Sequence, residues 1–322
     1  MKYVGRPVWK NHRGGSTVVV VHDDGSEHPL PSCTKLMNHS PSGFAWGYSG
    51  SGPAQLALAI LCDFFNRLPV STIDALKAGL ADRGLALTDV RNLLLSHIHL
   101  DHAGAAGVLV REHPALQVHV SPIGAPHLVD PARLEKSARR LYGDTFDSLW
   151  GELAPVPEEN VELAGDRVVG LECFPSTGHA SHHVCYLDRD GTLYAGDAAG
   201  VRIQPARTVV PPTPPPDIDV EAWERTLDEI ERRDPDRLAL IHFGVAEDPA
   251  RHLAELRLTL LDWAESVEGG ATEEEFVAYA RSELADSGDD VPTYDQAMPF
   301  AQSYAGLKRW ADKRAEALRE QA

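Results

Sequence analysis

Residues 95–107 read LSHIHLDHAGAAG, and the interpretation of the whole chain starts from this stretch. It places His97, His99, Asp101 and His102 directly after the apolar residues 93–95. Burying such polar groups without partners costs on the order of 1–3 kcal/mol each. A divalent cation coordinated by these side chains removes that cost, so the stretch predicts a metal site.

The neighbouring residues indicate where the cluster lies. Residues 91–96 have the pattern of a short buried strand, and the small residues 103–107 predict a tight exit into a helix. The cluster is therefore expected at the C-terminal end of a strand, where open α/β sheets bind ligands.

Three later stretches repeat this placement of a ligand residue just after an apolar strand. The residues concerned are His179, Asp197 and His242. Because strand ends meet at an edge of a layered sheet, we expect these side chains to converge on the first cluster. The repetition is much harder to obtain by chance than a single histidine.

Composition excludes several classes of protein. The 322 residues have room for one large or two modest domains. With 48 acidic and 30 basic residues, a net charge of -18 and no basic stripe, nucleic acid and anionic membranes are not expected as partners. No apolar run approaches the roughly 20 residues of a membrane span, and the start MKYVGRPVWK lacks a signal peptide's apolar core. We expect a soluble, cytoplasmic protein.

The cysteines do not form a recognisable site. They are far apart and contain no C-x-x-C pair, at Cys33, Cys62, Cys173 and Cys185. Neither a disulfide framework nor an all-thiolate zinc site is expected.

The order of predicted elements indicates an α/β fold with three regions. Residues 1–66 are predicted to form a small α+β N-terminal segment with strands at 2–9 and 16–22. From residue 71 helices and strands alternate, which favours α/β layers. Helices are predicted at 72–83, 104–113, 132–141, 145–153, 221–233, 249–268, 273–285 and 299–319, and strands at 91–96, 117–121, 167–174, 183–187, 192–195 and 238–241. We predict a metal-binding domain at 67–270 and a helical extension at 271–322.

The motif HIHLDH at 97–102, with GHA at 178–180, GDA at 196–198 and IHFG at 241–244, resembles the metallo-β-lactamase fold superfamily over about residues 71–265. The resemblance implies an αββα sandwich that holds two metals between its sheets. It implies that one metal is bound by His97, His99 and His179, that the second is bound by Asp101, His102 and His242, and that Asp197 bridges the two.

Finer resemblances concern smaller parts of the chain. The stretches GHASHH at 178–183, TPPP at 213–216 and IHFG are similar to a branch near glyoxalase II. The stretch GFAWGYSGSGPAQLALAIL at 43–61 resembles a small haloarchaeal domain of unknown function, which implies no chemistry.

The ligand types favour a hydrolase with two zinc ions. Imidazole and carboxylate suit zinc, and two metals roughly 3.5–4 Å apart can share and deprotonate a water. We expect a metal-bridging hydroxide to attack an ester, thioester or lactone carbonyl, with Asp101 as the catalytic residue that orients the water and accepts its proton. The alternatives are a mononuclear iron thiol or persulfide dioxygenase, and a non-catalytic metal-binding protein with a compromised fold. A nuclease is disfavoured because no basic groove is indicated.

The substrate is expected to be a small molecule, but the sequence offers only weak candidates for the residues that contact it. His182 and His183 are weak candidates for substrate contacts or for partners of the ligands, and His183 also suits the start of a strand. The remaining histidines are predicted to be surface or loop residues, apart from His119 in a strand; they are His12, His22, His28, His39, His113, His127 and His252.

The C-terminal region also bears on the substrate. It is mostly acidic, with Arg309, Lys313 and Arg314 as its close basic group, so a glutathione thioester is not favoured. Its helices are expected to pack within the monomer, with capping of the site or homodimer formation as the alternatives.

The chain departs from the resemblance before residue 72. Family members normally begin with two or three strands and an Asp-Thr-Gly-like turn, whereas Leu68-Pro69-Val70-Ser71 precedes the first helix here. We therefore expect that residues 1–66 replace the early strands. The first sheet would then have an exposed edge and apolar surface, unless residues 16–22 or their neighbours pair there.

Overall fold

The structure is a computed structural model that describes residues 2–10, 13–21, 27–29, 72–203, 206–242 and 244–321. Its N-terminal strands are β1 (Lys2–Lys10), β2 (Arg13–Val21) and β3 (Glu27–Pro29), which form an antiparallel sheet in the order β1-β2-β3. The strands predicted at 2–9 and 16–22 are thus present. The glycine-rich stretch at 43–61 lies outside the described residues.

A parallel sheet forms the first half of the region that is predicted to bind metal. Its order is β4-β5-β6, and short helices connect its strands. In chain order the elements are α1 (Thr72–Ala81), β4 (Asn92–Leu94), α2 (Leu100–Ala103), α3 (Ala106–Glu112), β5 (Gln117–Val120), α4 (Ala125–Val129), α5 (Ala132–Tyr142), α6 (Phe146–Trp150) and β6 (Val161–Leu163). The predicted helix at 104–113 is therefore shorter, and the one-turn helix α2 precedes it.

A larger mixed sheet forms the second half, with the order β12-β11-β10-β9-β8-β7. Its elements are β7 (Arg167–Val168), β8 (Leu171–Pro175), β9 (Val184–Leu187), β10 (Thr192–Gly196), α7 (Val220–Arg233), β11 (Arg237–Leu240), β12 (Gly244–Ala246), α8 (Pro249–Glu268), α9 (Glu273–Asp286), α10 (Val291–Ala297) and α11 (Phe300–Gln321). Strands β10 and β11 are parallel and are joined through the crossover helix α7, as parallel pairing requires.

One predicted strand is wrong. The stretch 167–174 is two antiparallel strands, because Val169 and Gly170 reverse the chain with φ angles of 51° and 89°. Two successive residues with positive φ give the tight turn that suits the twist of a hairpin.

The C-terminal helices pack within the chain, as expected. The core of the second half contains large side chains that are at most 1% exposed, among them Trp223, Trp263, Phe276 and Phe300. Thr272 and Glu275 form a capping box that fixes the start of α9. In the part of the chain that the structure describes, no helix is both long and apolar enough to cross a lipid bilayer.

The two halves are joined next to the predicted metal ligands. The Tyr186 hydroxyl on β9 donates to the carbonyl of Leu95 at 2.8 Å, and the Val184 N–H donates to the carbonyl of Ser96 at 2.8 Å. These bonds link the second sheet to the chain just after β4. The predicted α/β fold class with C-terminal helices is confirmed.

Among the described residues, part of the inner face of the second sheet is exposed. Tyr194 on β10 lies opposite Tyr186, and Ala239 on β11 lies opposite both Tyr194 and Val245 on β12, so these residues share one face. Tyr186 is buried on that face, whereas Tyr194 and Val245 are 47% and 43% exposed. Among the described residues β1–β3 pair with one another and β4 pairs with β5 alone, so the replacement of the early strands by residues 1–66 stays a prediction.

Candidate metal centre

Three imidazoles form the buried part of the centre. His97 follows β4, His99 is the residue before α2, and His179 follows β8. Nδ1 of His99 lies 3.0 Å from Nε2 of His97 and 3.0 Å from Nε2 of His179. The predicted first group of ligands is therefore assembled from two different sheets.

Asp197 lies between this group and the second one. It follows β10 and is 3% exposed. Its Oδ2 is 3.5 Å from Nε2 of His97, 3.2 Å from Nε2 of His179 and 3.3 Å from Nε2 of His102. Its Oδ1 is 3.4 Å from Nε2 of His242. The carboxylate thus contacts both groups through its two oxygens.

The second group is more open to solvent. Oδ2 of Asp101 lies 3.2 Å from Nε2 of His102 and 3.6 Å from Nε2 of His242. The side chains of Asp101 and His242 are 45% and 31% exposed, whereas that of His102 is 3% exposed. Because Asp101 and His102 stand on the one-turn helix α2, they extend the first group toward this open side.

The donor atoms fit divalent cations. Nδ1–H of His179 donates to the Pro212 carbonyl at 2.8 Å, which leaves the lone pair on Nε2 directed at the cluster. Nε2 of His102 and Oδ1 of Asp197 are buried, and their contacts with charged or polar atoms of the cluster, at 3.2–3.4 Å, lack the geometry of hydrogen bonds. Tetrahedral ligands about 2.0–2.1 Å from one zinc are separated by roughly 3.3 Å, close to the separations seen here. A cation at each group would coordinate these buried atoms, which make no hydrogen bond of good geometry within the cluster.

The charge states of the side chains in the first group suit the binding of a cation. Burial is the main cause that lowers the pKa of His97 and His179, and it lowers the pKa of His99 to about 3. Burial would raise the pKa of Asp197, but nearby histidines, first His179 and then His102, outweigh it and hold that pKa well below the usual range. The imidazoles are therefore neutral and the carboxylate is ionised at neutral pH, which are the forms that bind metal.

The second group favours a positive charge at His102. Burial alone would lower the pKa of this histidine, but the contacts with Asp101 and Asp197 outweigh burial and raise the pKa to about 10. Burial would likewise raise the pKa of Asp101, and its contact with His102 instead lowers it. The two carboxylates thus attract positive charge to the place where a second cation would bind.

His183 supports Asp197 and does not join the cluster of donor atoms. The Asp197 N–H donates to Nε2 of His183 at 3.1 Å, so Nδ1 carries the proton and donates to Oγ of Ser176 at 2.7 Å. Gly196 has a φ of 53°, and a Cβ there would lie 2.4 Å from Nε2 of His183. A glycine is therefore required for the chain to turn into Asp197.

His182 is placed next to the site through its backbone and ring. Its carbonyl accepts from Oγ of Ser121 at 2.7 Å, and its Nδ1 accepts from the N–H of Ile98 at 3.4 Å. Burial lowers the pKa of His182 to about 4. These contacts tie the turn after His179 to the turn that carries His97 and His99.

The prediction for His252 is wrong. This residue was expected on the surface or in a loop, but it lies on α8 with 0% exposure and donates from Nε2 to the Ala199 carbonyl at 2.7 Å. Leu253 and Leu256 on the same helix are also buried, so this part of α8 faces the core. His113 caps the C-terminal end of α3, and its Nε2 contacts the Val90 carbonyl. This position just after a helix agrees better with the predicted surface or loop location than that of His252 does.

The structure brings all seven predicted ligand positions together, and their binding of metal remains a prediction. They form two groups, namely His97, His99, His179 and Asp197, and Asp101, His102 and His242. The sequence interpretation missed Pro212 and Ser176, since a backbone carbonyl and an isolated serine have no motif. It also missed Tyr142, whose pKa is raised by burial and then by the charge of Asp101.

One solved structure of similar fold confirms the predicted fold class, an α/β sandwich of the metallo-β-lactamase type. The metallo-β-lactamase family protein TTHA1429 from Thermus thermophilus is 17% identical, with a TM-score of 0.55 over 98% of this chain and 93% of that one. The archaeal superfamily protein ST1585 from Sulfolobus tokodaii is 25% identical over 52% of this chain and 66% of that one, with a TM-score of 0.44.

A curated relative is the uncharacterized protein YobT of Bacillus subtilis (strain 168), which is 28% identical over 124 residues. The match covers 35% of this chain, and the chain spans about half, 48%, of the length of that relative. A family of unknown function, DUF6166, matches residues 4–73. The family model described as the metallo-β-lactamase superfamily matches residues 49–242, which is more than half of the chain. The chain therefore belongs to the metallo-β-lactamase superfamily.

Proposed function

We propose that the protein is a metal-dependent hydrolase that holds two zinc ions and cleaves an ester, thioester or lactone. The observation that carries this proposal is the position of Asp197, whose two oxygens contact both groups of donor atoms. A carboxylate shared in this way suits a pair of cations better than a single one. The presence of His99, where a glutamate would favour iron, supports zinc.

The residues divide into those that anchor ions and those that face the substrate. Two zinc ions bound to these groups would supply Lewis-acid chemistry that polarises a carbonyl and activates water near neutral pH. His97, His99 and His179 are buried or nearly so at the first group, and they would anchor one ion rigidly. Asp101, His102 and His242 would hold the other ion at the open side.

Asp101 is the residue best placed to handle a proton. Its carboxylate is ionised at neutral pH because the contact with His102 outweighs burial, and nearly half of its side chain is exposed. It can therefore orient a water at the open side and accept a proton from it.

The surroundings favour a small, uncharged substrate. Arg309 donates to the Pro216 carbonyl at 3.2 Å, and Arg314 pairs with Glu221 and Glu268. These cations are thus engaged by the chain's own groups, which disfavours them as a binding site for glutathione. We further propose that the protein belongs to the glyoxalase-II-like branch, is located in the cytoplasm and forms a homodimer. We do not expect it to bind nucleic acids or membranes.

Metal content and a substrate screen test the proposal together. We expect two zinc ions per chain in protein purified without added metal, and hydrolysis of at least one member of a panel of thioesters, lactones and simple esters. His99→Ala and Asp197→Ala should each lower the rate at least 100-fold, in line with the loss of a metal ligand. His113→Ala is the matched control, because His113 contacts Val90 and none of the ligands.

The outcomes separate the competing functions. One iron and no zinc per chain would replace the hydrolase with an iron dioxygenase, and oxygen uptake with thiol substrates would then be measured. Two zinc ions without hydrolysis of any of the panel would favour a non-catalytic metal-binding protein. Hydrolysis that survives both His99→Ala and Asp197→Ala would rule out this site as its source.

A further inference from the structure

The contact between His179 and Pro212 connects the metal centre to the C-terminal helix. Pro212 belongs to the proline-rich segment, residues 211–216, which follows the loop after Asp197. A neutral histidine that donates from Nδ1 to a carbonyl keeps its lone pair on Nε2. The position of the Pro212 carbonyl therefore sets both the tautomer and the orientation of His179.

The proline-rich segment is held from both of its sides. Before it, Val201 and Val210 exchange backbone hydrogen bonds of 2.9 Å in both directions. Along the segment, the Thr213 hydroxyl donates to the Ser303 carbonyl at 3.2 Å, and Nε of Arg309 donates to the Pro216 carbonyl at 3.2 Å. Thr213 and Ser303 are at most 1% exposed, so this contact is buried.

Gly306 lies between these two hydrogen bonds on the same helix, α11. Positions 303, 306 and 309 are three residues apart and therefore occupy one face of the helix. A Cβ at Gly306 would lie 2.0 Å from the Thr213 carbonyl oxygen and 2.9 Å from the carbonyl carbon of Pro214. Glycine is unfavourable inside a helix, so its presence at the centre of α11 is explained by this close approach of two backbones.

We propose that α11 is a positioning element of the metal centre, in which Gly306 sets the place of the proline-rich segment and thereby the orientation of His179. Neither Gly306 nor Thr213 touches the donor atoms, and both act through the Pro212 carbonyl. The C-terminal helix then contributes to metal affinity as well as to packing. This inference rests on the proposed function to the extent that His179 binds a metal ion.

The test compares zinc affinity in variants of the full-length protein. Zinc dissociation constants are measured by competition with a chromophoric chelator, and the tautomer of His179 is read from its ring ¹⁵N shifts without added metal. Gly306→Ala should weaken zinc binding 10- to 100-fold, which is the usual effect of losing a partner of a ligand histidine. It should also reduce the population of the Nδ1–H tautomer.

Ala305→Gly is the matched control. Ala305 is exposed and precedes Gly306 on α11, so this change weakens the helix without touching the proline-rich segment. It should lower the melting temperature while zinc affinity stays within twofold of wild type. If Gly306→Ala does not fold, Thr213→Val serves instead, because it removes the hydrogen bond to Ser303 with little change in shape, and it should weaken zinc binding 2- to 10-fold.

The results distinguish this inference from the proposed function. Wild-type affinity and an unchanged His179 tautomer in Gly306→Ala, or in Thr213→Val if it replaces that variant, would overturn the role of α11 alone. Equal losses of affinity in Gly306→Ala and Ala305→Gly would also overturn it, since helix stability would then be sufficient. A wild-type protein that binds no divalent ion would overturn the proposed function, and the tautomer measurement would then decide the inference by itself.

Discussion

The two halves of the region that contains the candidate metal centre contribute the predicted ligands in different ways. Residues 72–163 supply His97, His99, Asp101 and His102 from a single turn after a three-residue strand. Residues 167–321 supply His179, Asp197 and His242 from the ends of three separate strands. The first set is local in sequence, and the second depends on a large core and on partners such as Pro212 and His183. Metal affinity should therefore be sensitive to packing mainly in the second half.

Among the substitutions that test this difference between the halves, truncation of Trp223 should have the largest effect. The ring is fully buried, its Nε1 donates to the Ala198 carbonyl at 2.8 Å, and its centroid lies 5.7 Å from that of His179. Trp223→Ala should lower the free energy of unfolding by about 3–5 kcal/mol and also weaken zinc binding. Urea denaturation and chelator competition measure the two effects.

Trp263→Ala is the control for this prediction. Trp263 is equally buried in the same core, but its ring contacts Phe276 and Phe300 instead of a ligand. It should show a similar loss of stability with zinc affinity close to wild type. If both variants lose zinc affinity equally, general loosening of the core is the cause and the role of Trp223 beside His179 is wrong.

The hydrogen bond between the two halves should have a smaller effect. Tyr186→Phe removes the donor to the Leu95 carbonyl in a buried environment, which should lower the free energy of unfolding by about 1–2 kcal/mol. Tyr194→Phe, on the exposed part of the same sheet face, should leave stability unchanged. Guanidinium denaturation compares the two, and equal stability of both variants would mean that the Tyr186 hydroxyl does not hold the halves together.

A substitution on the exposed part of this sheet face should change the free energy of unfolding least. Val245→Thr should change the free energy of unfolding by less than about 0.5 kcal/mol, because Val245 is 43% exposed. Val118→Thr buries a hydroxyl on β5, where the side chain is 0% exposed, and should cost about 1–3 kcal/mol. Comparable losses measured by thermal denaturation would show that the face beside Tyr194 is covered in solution.

The sequence predicted the first half of the site better than its surroundings. His97 to His102 are contiguous, so their type and spacing are visible without a fold. His179, Asp197 and His242 were found because each follows an apolar strand, a pattern that survives in the sequence. The short strands β6 and β12 have three residues each and were missed, since no periodicity can be detected over so few positions.

The supporting contacts could not be predicted for a different reason. The roles of Pro212 and Gly306 depend on which backbones approach each other, and residue type alone does not record this. His252 was misplaced because a single histidine on a helix is usually exposed, whereas here the Ala199 carbonyl accepts a hydrogen bond from its Nε2–H inside the core. The burial of His252 could be predicted only if its hydrogen-bond partner were known, and Ala199 lies 53 positions away in the sequence.

The separation of the ligands along the chain also affects how the protein folds. His97 and His242 lie near opposite ends of the stretch that builds the two sheets, so both groups of ligands are complete only when contacts of high sequence separation have formed. Such contacts are slow to form because loop closure must precede them. An ion that binds only the finished site stabilises it by mass action, about 2.7 kcal/mol at a free concentration 100 times the dissociation constant. Metal supply during expression should therefore influence the yield of folded protein more than its rate of folding.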